Sequence, residues 1–120
     1  MAGGIFVSAG TNAFRTVGDL QTNPAATTTL LDTGDLAAGA YILSFLLTAS
    51  AASRVLLRHR NAADSGDIWT FQIDIPADQT IPIYLTKDSV ADGESYEVEA
   101  VTGPGAAETI RAALWGFNVG

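Results

Sequence analysis

Residues 68–76, IWTFQIDIP, decide the fold class, because apolar and polar side chains alternate there from Trp69 to Ile75. The large apolar residues share one phase of that alternation: Trp69, Phe71, Ile73 and Ile75. The residues between them are polar or small. A period of two places these two sets on opposite sides of an extended chain, which predicts a β-strand with one buried face.

The segments on either side of this strand have the same character. Short runs rich in β-branched and aromatic residues recur about every ten residues, and clusters of Gly, Asp, Asn and Pro separate them. Seven strands are predicted after residue 28, and IFVSA at residues 5–9 would be an eighth. Pro82 interrupts one of them and indicates an edge strand or a position whose N–H would be unpaired. The pattern predicts an all-β antiparallel β-sandwich, with an eight-stranded jelly roll as the favoured topology.

Two of the predicted strands, residues 40–49 and 109–119, are apolar in both phases. A helix is the competing interpretation of residues 40–49, and the β-rich context favours a strand. One face of such a strand can pack in the core, so the other needs cover from a further surface. We therefore predict a subunit interface that includes four residues of the second phase: Ile42, Leu46, Trp115 and Phe117.

The first 28 residues differ from the rest of the chain. They are rich in Gly, Ala, Thr and Asn and show little periodicity, so residues 1–28 are predicted to form an extended N-terminal arm. Residues 29–120 would then form the sandwich domain. We expect the sandwich to fold without residues 2–26 and the arm to order only against another surface.

Composition limits the functions that the chain can have. It has 13 acidic and 6 basic residues, a net charge of −7 and no cysteine, which excludes disulfides and thiolate chemistry. The acidic balance argues against direct binding to nucleic acid. No basic and apolar leader begins the chain, and no apolar run is long enough to span a bilayer. We expect synthesis in the cytoplasm without a signal peptide, and no membrane contact.

No motif for catalysis or cofactor binding is found. The single histidine, His59, shares its strand face with Val55 and Leu57, so a structural role at the edge of the core is favoured over a metal or base role. The acidic turns DSGD and DSVADGE do not match the spacing of a calcium loop. We expect no catalytic residue, no metal and no cofactor, and therefore no enzyme.

Charged side chains form a pattern on two of the predicted strands. Glu97 and Glu99 share one strand face, as Arg58 and Arg60 do, which favours cross-strand or intersubunit charge pairing over acid–base catalysis. Arg54, Arg58 and Arg60 form a single basic stripe on an acidic chain. This stripe is the candidate contact for an acidic partner surface.

The run RVLLRHRNAADSGDIWTFQIDIPADQTIPIYLTKDSVADGESYEVEAV, residues 54–101, resembles small virion proteins encoded beside the major capsid gene of tailed bacteriophages. The resemblance extends over roughly residues 30–119. It implies a head decoration, or cement, protein with a jelly-roll or tumour-necrosis-factor-like fold, which forms a homotrimer on the capsid surface and binds the major capsid protein. The resemblance brings no active-site motif.

A carbohydrate- or receptor-binding module of a phage tail or fibre is the alternative. Its sugar platform would come from the Trp and Tyr residues: Tyr41, Trp69, Tyr84, Tyr96 and Trp115. Such a platform needs at least two aromatic side chains on a solvent face, whereas alternation places Trp69 inward. A small β-sandwich enzyme is a third class, disfavoured by the missing motifs.

Overall fold

The computed structural model describes residues 13–120, and the regular structure in that range consists of strands without helices. The nine strands are β1 Ala13–Val17, β2 Gln21–Thr22, β3 Thr29–Asp32, β4 Gly39–Ala49, β5 Ser53–Arg60, β6 Asp67–Ile75, β7 Gln79–Val90, β8 Ser95–Thr102 and β9 Thr109–Asn118. The seven strands predicted after residue 28 correspond to β3–β9. The all-β prediction is confirmed.

The strands form two antiparallel sheets that pack as a sandwich. The five-stranded sheet has the order β1-β9-β4-β7, with β2 also paired to β9, and the four-stranded sheet has the order β3-β8-β5-β6. Along the chain, β5 and β6 are the only consecutive strands after β2 that share a sheet. If β1 and β2 are taken together, this strand order is compatible with the eight-stranded jelly roll that the sequence suggested.

Alternation along the strands builds the core. In β4, Tyr41, Leu43, Phe45 and Leu47 are buried against the opposite sheet, and the residues between them face outward. The strand interpretation of residues 40–49 is therefore confirmed, and so is the apolar character of both its faces. The inner face packs in the core, whereas the outer face has no cover within the described residues.

The inward phase predicted for β6 is correct, but burial along it is uneven. Ile75 is buried, while Phe71 is 51% exposed although it lies on the same side. The reason is position, since β6 and β7 are both edge strands and the sandwich is open between them. The edge position of β7 agrees with the prediction made from Pro82.

The N-terminal segment differs most from the expected arm. Residues 13–22, placed in the arm by the sequence, form β1 and β2, and both pair with β9. Phe14 packs edge-to-face on Tyr41, with ring centroids 5.7 Å apart. The part of the expected arm from Ala13 onward thus lies on the sandwich and contributes to it. The predicted strand IFVSA at residues 5–9 lies outside the described residues.

Candidate functional site

The outward side chains of β1, β9, β4 and β7 form one continuous surface, which we name the apolar face. Its residues are Ala13, Arg15 and Val17 in β1, Ile42, Ser44, Leu46 and Thr48 in β4, Thr80, Pro82, Tyr84 and Thr86 in β7, and Arg111, Ala113, Trp115 and Phe117 in β9. Strand pairing therefore brings together the four residues predicted for a subunit interface.

The register shows how closely these four residues lie. Ile42 is in register with Phe117, and Leu46 is in register with Ala113, two residues before Trp115. All four are exposed, and Trp115 retains 55% of its accessible surface. Neighbouring outward residues on paired strands have Cβ atoms about 5 Å apart, so the side chains form one contiguous patch.

A groove of about 960 Å³ opens on one end of the apolar face. Residues from four strands line it: Ala13, Phe14, Arg15, Ile42, Leu43, Ser44, Tyr84, Leu85, Thr86, Trp115, Gly116 and Phe117. Its walls are aromatic and aliphatic, and the polar groups come from the side chains of Arg15, Ser44 and Thr86 and from the Tyr84 hydroxyl.

The apolar face differs in charge from the rest of the protein. The chain has 13 acidic residues, yet the outward positions of this face carry no carboxylate. They do carry Arg15 and Arg111, neither of which forms an ion pair with another residue of the range 13–120. On a chain of net charge −7, this surface is the one best suited to approach an acidic partner.

The opposite face, on the four-stranded sheet, is charged and internally paired. Arg58 Nη1 lies 2.6 Å from Glu99 Oε2, and Arg58 Nε lies 3.1 Å from Asp67 Oδ1. Arg60 Nη1 also approaches Asp67 Oδ1, at 3.7 Å. The cross-strand charge pairing that the sequence suggested is therefore confirmed for Arg58 and Glu99.

Arg54, the remaining member of the basic stripe, is also paired. Its Nε lies 2.7 Å from Asp74 Oδ1, and this hydrogen bond raises the pKa of Arg54 and lowers the pKa of Asp74. The three arginines proposed as a partner contact do lie on one face, as predicted. However, each has an acidic neighbour within its own chain, so the stripe presents little uncompensated positive charge.

His59 lies inside the sandwich, in a polar cluster that connects the two sheets. Its side chain is completely buried, with Nε2 2.9 Å from Glu94 Oε1 and Nδ1 3.0 Å from Asp88 Oδ2. The Nδ1 contact is off the direction of a hydrogen bond. Asp88 also accepts hydrogen bonds from Trp69 Nε1, at 3.0 Å, and from the Tyr96 hydroxyl.

This cluster has the geometry of a structural clamp. Asp88 belongs to the five-stranded sheet, whereas His59, Trp69 and Tyr96 belong to the four-stranded sheet. Burial, and then the hydrogen bond to Asp88, raise the pKa of the Tyr96 hydroxyl, which keeps it protonated as a donor. The two carboxylates contact opposite nitrogens of the ring, so they do not converge on a common point as metal ligands would.

The acidic turns considered as calcium loops are engaged in protein contacts. In DSGD, Asp67 accepts from Arg58, and in DSVADGE, both Asp88 and Glu94 contact His59. Within the part of the chain that the structure describes, no three potential ligands of the types His, Cys, Asp and Glu are grouped to hold a metal ion.

Glu97 lies on the charged outer face, where burial and the nearby Asp32 raise its pKa.

The aromatic residues considered for a sugar platform divide into two groups. Tyr41 and Tyr96 are buried, and Trp69 is half-buried among them, as alternation predicted. Trp115 and Tyr84 are exposed on the apolar face, on either side of Ser44. Two strand spacings place them about 10 Å apart.

Arg15, Arg111 and the network around His59 were missed in the sequence. Arg15 and Arg111 stand alone among apolar residues, and the signal that could have found them is their phase, which they share with Val17 and Trp115. Asp88, in β7, and Glu94, in the turn that follows β7, are distant in sequence from His59. No local pattern indicates their approach to the ring.

Comparisons with known proteins add no family to these observations: no protein-family model matches the chain, and no curated protein is significantly similar to it. Over residues 13–120, no helix has the length and apolar character needed to cross a membrane.

Proposed function

We propose that this chain is a non-enzymatic structural protein of a bacteriophage virion, which self-associates as a homotrimer and decorates the capsid surface. The observation that carries the proposal is the apolar face, where exposed Trp115 and Phe117 lie beside Ile42 and Leu46 on a surface without carboxylates. The resemblance of residues 54–101 to small virion proteins supplies the class of partner.

The composition of the apolar face is that of an interface. The centres of protein–protein interfaces are enriched in Trp, Tyr, Phe and Arg and depleted in Asp, Glu and Lys. The apolar face has Trp115, Tyr84 and Phe117 together with Arg15 and Arg111. Contiguous apolar patches on soluble proteins mark interaction sites, whereas isolated exposed residues do not.

Stabilisation of a capsid would follow from burial of this surface. Each 100 Å² of apolar area removed from water contributes about 2.5 kcal/mol, against an association cost of roughly 4–15 kcal/mol. Arg15 and Arg111 would meet carboxylates of a neighbouring copy or of the major capsid protein. The proposed site of action is the virion surface, after synthesis in the host cytoplasm, with no direct contact to nucleic acid or membrane and no cofactor.

The decisive experiment is co-sedimentation with capsids of the encoding phage from which decoration proteins have been removed. We expect saturable binding and a higher temperature of capsid disruption. Leu46→Asp, on the apolar face, should abolish binding, whereas Leu56→Asp, on the outward face of the central strand β5, should leave binding intact. Absence of binding by the unmodified chain, or equal loss in both variants, would contradict the proposal.

A carbohydrate-binding module of a tail or fibre is the second candidate, because Trp115 and Tyr84 meet the requirement for two aromatic residues on one solvent face. Against it, the groove offers few polar side chains to hydrogen-bond sugar hydroxyls, whereas ligand sites normally combine apolar walls with several placed polar groups. Titration with oligosaccharides tests this candidate. Saturable binding that Trp115→Ala removes, by a chain that stays monomeric, would favour it over decoration.

A further inference from the structure

We propose that β6 pairs edge to edge with β6 of a second copy of this chain, as an antiparallel pair centred on Phe71. The contact belongs to the four-stranded sheet and does not use the apolar face, so the inference is independent of the proposed function.

The first argument is that β6 is an open sheet edge. Among the described strands it pairs with β5 alone, so the backbone N–H and C=O groups along its other side have no strand partner there. Its sequence, DIWTFQIDI, is nine residues long and contains no proline or glycine. The two charged residues stand at or near its ends, where Asp67 binds Arg58 and Asp74 binds Arg54. A long edge that is uncharged along its middle is a template for pairing with another strand.

The other sheet edges carry features that oppose such pairing. β7, the edge strand of the five-stranded sheet, contains Pro82, which has no N–H to donate. Its register shifts at Thr86 and Lys87, and Lys87 has a left-handed backbone with a φ of 56°. A proline, a bulge and a lysine are devices that blunt an edge. At the remaining edges the strands are short, with four residues in β3, five in β1 and two in β2. Of the described edges, β6 is therefore the one that is both long and unprotected.

The second argument is that the inward side of β6 lacks cover. Trp69 and Ile73 are half-buried and Phe71 is 51% exposed, at the side where the sandwich is open. Across the opening, Ile81 and Ile83 of β7 are also only half-buried. A strand added along β6 would extend the inner face of the four-stranded sheet over this opening. Backbone pairing and apolar burial thus favour the same surface, as in other cases of strand addition.

The third argument identifies the added strand as β6 of a second copy, because β6 is complementary to itself. Phe71 is the central residue of the strand Asp67–Ile75, so an antiparallel pair about a two-fold axis at Phe71 overlaps all nine residues. This register sets Phe71 against its own copy and Trp69 against Ile73 on both sides of the axis. Aromatic pairs and pairs of an aromatic with a β-branched residue are favourable across antiparallel strands.

The same register also avoids repulsion between charges. Asp74 of one copy lies opposite Ile68 of the other, and Asp67 lies opposite Ile75. No two carboxylates stand directly opposite, an arrangement that would be destabilising. The pair therefore needs no partner of opposite charge, and a second copy suffices.

The area of the contact makes the pair weak. Nine residues at about 3.3 Å each give a seam of about 30 Å, and the two layers of a sandwich are about 10 Å apart. Edge-to-edge contact covers a few hundred Å² on each copy, which is less in total than the roughly 1,200 Å² of specific, stable interfaces. The pair thus forms where copies are concentrated, and micromolar solutions keep the state set by the apolar face.

Crosslinking of single-cysteine variants tests the pairing, since the chain has no cysteine of its own. In the proposed register the two copies of Gln72 lie diagonally on one face, with Cβ atoms about 7 Å apart, within reach of a short bis-maleimide. Thr29→Cys, exposed on β3 at the other edge of the same sheet, is the control for Gln72→Cys. Both chains also carry Trp115→Ser, so that the apolar face does not hold the copies together. In submillimolar protein we expect Gln72→Cys to form covalent dimers on the order of tenfold faster than the control. Equal rates would overturn the proposal.

Charge substitution on the two-fold axis tests the register. Phe71→Lys and Phe71→Glu, each made in the Gln72→Cys chain, set like charges opposite each other, which opposes pairing. We expect each protein alone to crosslink about tenfold more slowly than its parent, and an equimolar mixture to regain the parent rate with the mixed dimer as product by intact mass. Undiminished crosslinking of either variant alone, or a mixture no faster than its components, would overturn the proposal. The comparison of Gln72→Cys with Thr29→Cys leaves Phe71 intact and does not depend on how these variants fold.

Discussion

Trp115 and Tyr84 lie on either side of Ser44 on the outer face of the five-stranded sheet, each in register with it across a neighbouring strand. The two largest exposed aromatic side chains of the described region thus belong to one row. Arg15 completes that row on β1, in register with Trp115. The row makes the apolar face directional, since the positive charge of Arg15 stands on one edge strand and the aromatic ring of Tyr84 on the other.

Reversal of the charge at that edge is expected to weaken self-association. Arg15→Glu introduces a carboxylate onto a face that has none, opposite a partner of net charge −7. We expect the dissociation constant to rise about tenfold at low salt and the difference to shrink at high salt, because edge charges are screened. Sedimentation equilibrium at two ionic strengths measures it. Arg54→Glu, on the opposite face, is the matched control, and an equal effect there would show that net charge alone is responsible.

Loss of the buried imidazole is expected to be costly. His59→Gln removes the ring that contacts Glu94 and Asp88 and leaves their carboxylates without this partner inside the sandwich. Removal of a partner that leaves a buried polar group unsatisfied costs about 2 kcal/mol, which exceeds the modest loss expected for a histidine at the edge of a core. Urea unfolding measures it. A loss below 1 kcal/mol would mean that water or another group replaces the imidazole.

Asp74→Asn provides the comparison for the His59 substitution. The Asp74–Arg54 pair is as short as the contacts of His59, at 2.7 Å, but it is solvent-exposed. Exposed pairs contribute little, so the midpoint of urea unfolding should stay within error of the unmodified protein. The metal content of the His59→Gln protein should equal that of the unmodified protein, because His59 has a structural role.

Strands β3–β9 were predictable because each carries its own signal in the local sequence. Alternation in β6, and the burial of Leu43 and Phe45 in β4, follow from local sequence and from a period of two. Burial along β6 was less predictable, since the exposure of Phe71 depends on which strands form the sheet edges. Pairing order is a long-range property, and the alternation of one strand does not contain it.

The candidate site also combines residues that the local sequence predicts with residues that it does not. Ile42, Leu46, Trp115 and Phe117 were predicted together because each occupies the second phase of an apolar strand, and pairing of β4 with β9 then brings them side by side. The segment AFRTV at β1 was missed because it is five residues long and has one large aromatic side chain on its inner phase, Phe14. Its strand character comes from pairing with β9.

The pH dependence of stability should report on Glu97. Burial, and then the nearby Asp32, raise its pKa above the ordinary value of 4.5, so the folded state binds this proton more tightly than the unfolded state. Its contribution to stability is therefore largest at acidic pH and is lost as the pH rises through the raised pKa. Glu97→Gln should raise the unfolding midpoint at neutral pH, and the gain should disappear below pH 4.5.

Glu99 is the control for this titration. It accepts a hydrogen bond from Arg58 at 2.6 Å on the same strand face, so Glu99→Gln should lower the unfolding midpoint at neutral pH. Thermal unfolding at neutral and acidic pH distinguishes the two variants. Destabilisation by both substitutions at neutral pH would contradict the raised pKa of Glu97.

Two truncations should separate the N-terminal segment from the sheet. Deletion of residues 2–12 removes no described strand, and the thermal transition should stay within a few degrees. Deletion of residues 2–26 also removes β1 and β2 and uncovers the edge of β9 and the ring of Tyr41. The loss of Phe14 alone should cost about 2 kcal/mol. Calorimetry of both proteins measures it, and equal transitions would restore the view that all of residues 2–26 form a dispensable arm.

Self-association through the apolar face is the central claim, and light scattering at micromolar concentration tests it most directly. The unmodified chain should have a mass near three times 12.4 kDa. Trp115→Ser should weaken assembly by on the order of thirtyfold, as loss of a central aromatic side chain does. Ile68→Ser, which replaces a similarly exposed residue on the opposite sheet, should leave the mass unchanged. A monomeric unmodified chain, or equal dissociation of both variants, would contradict the account.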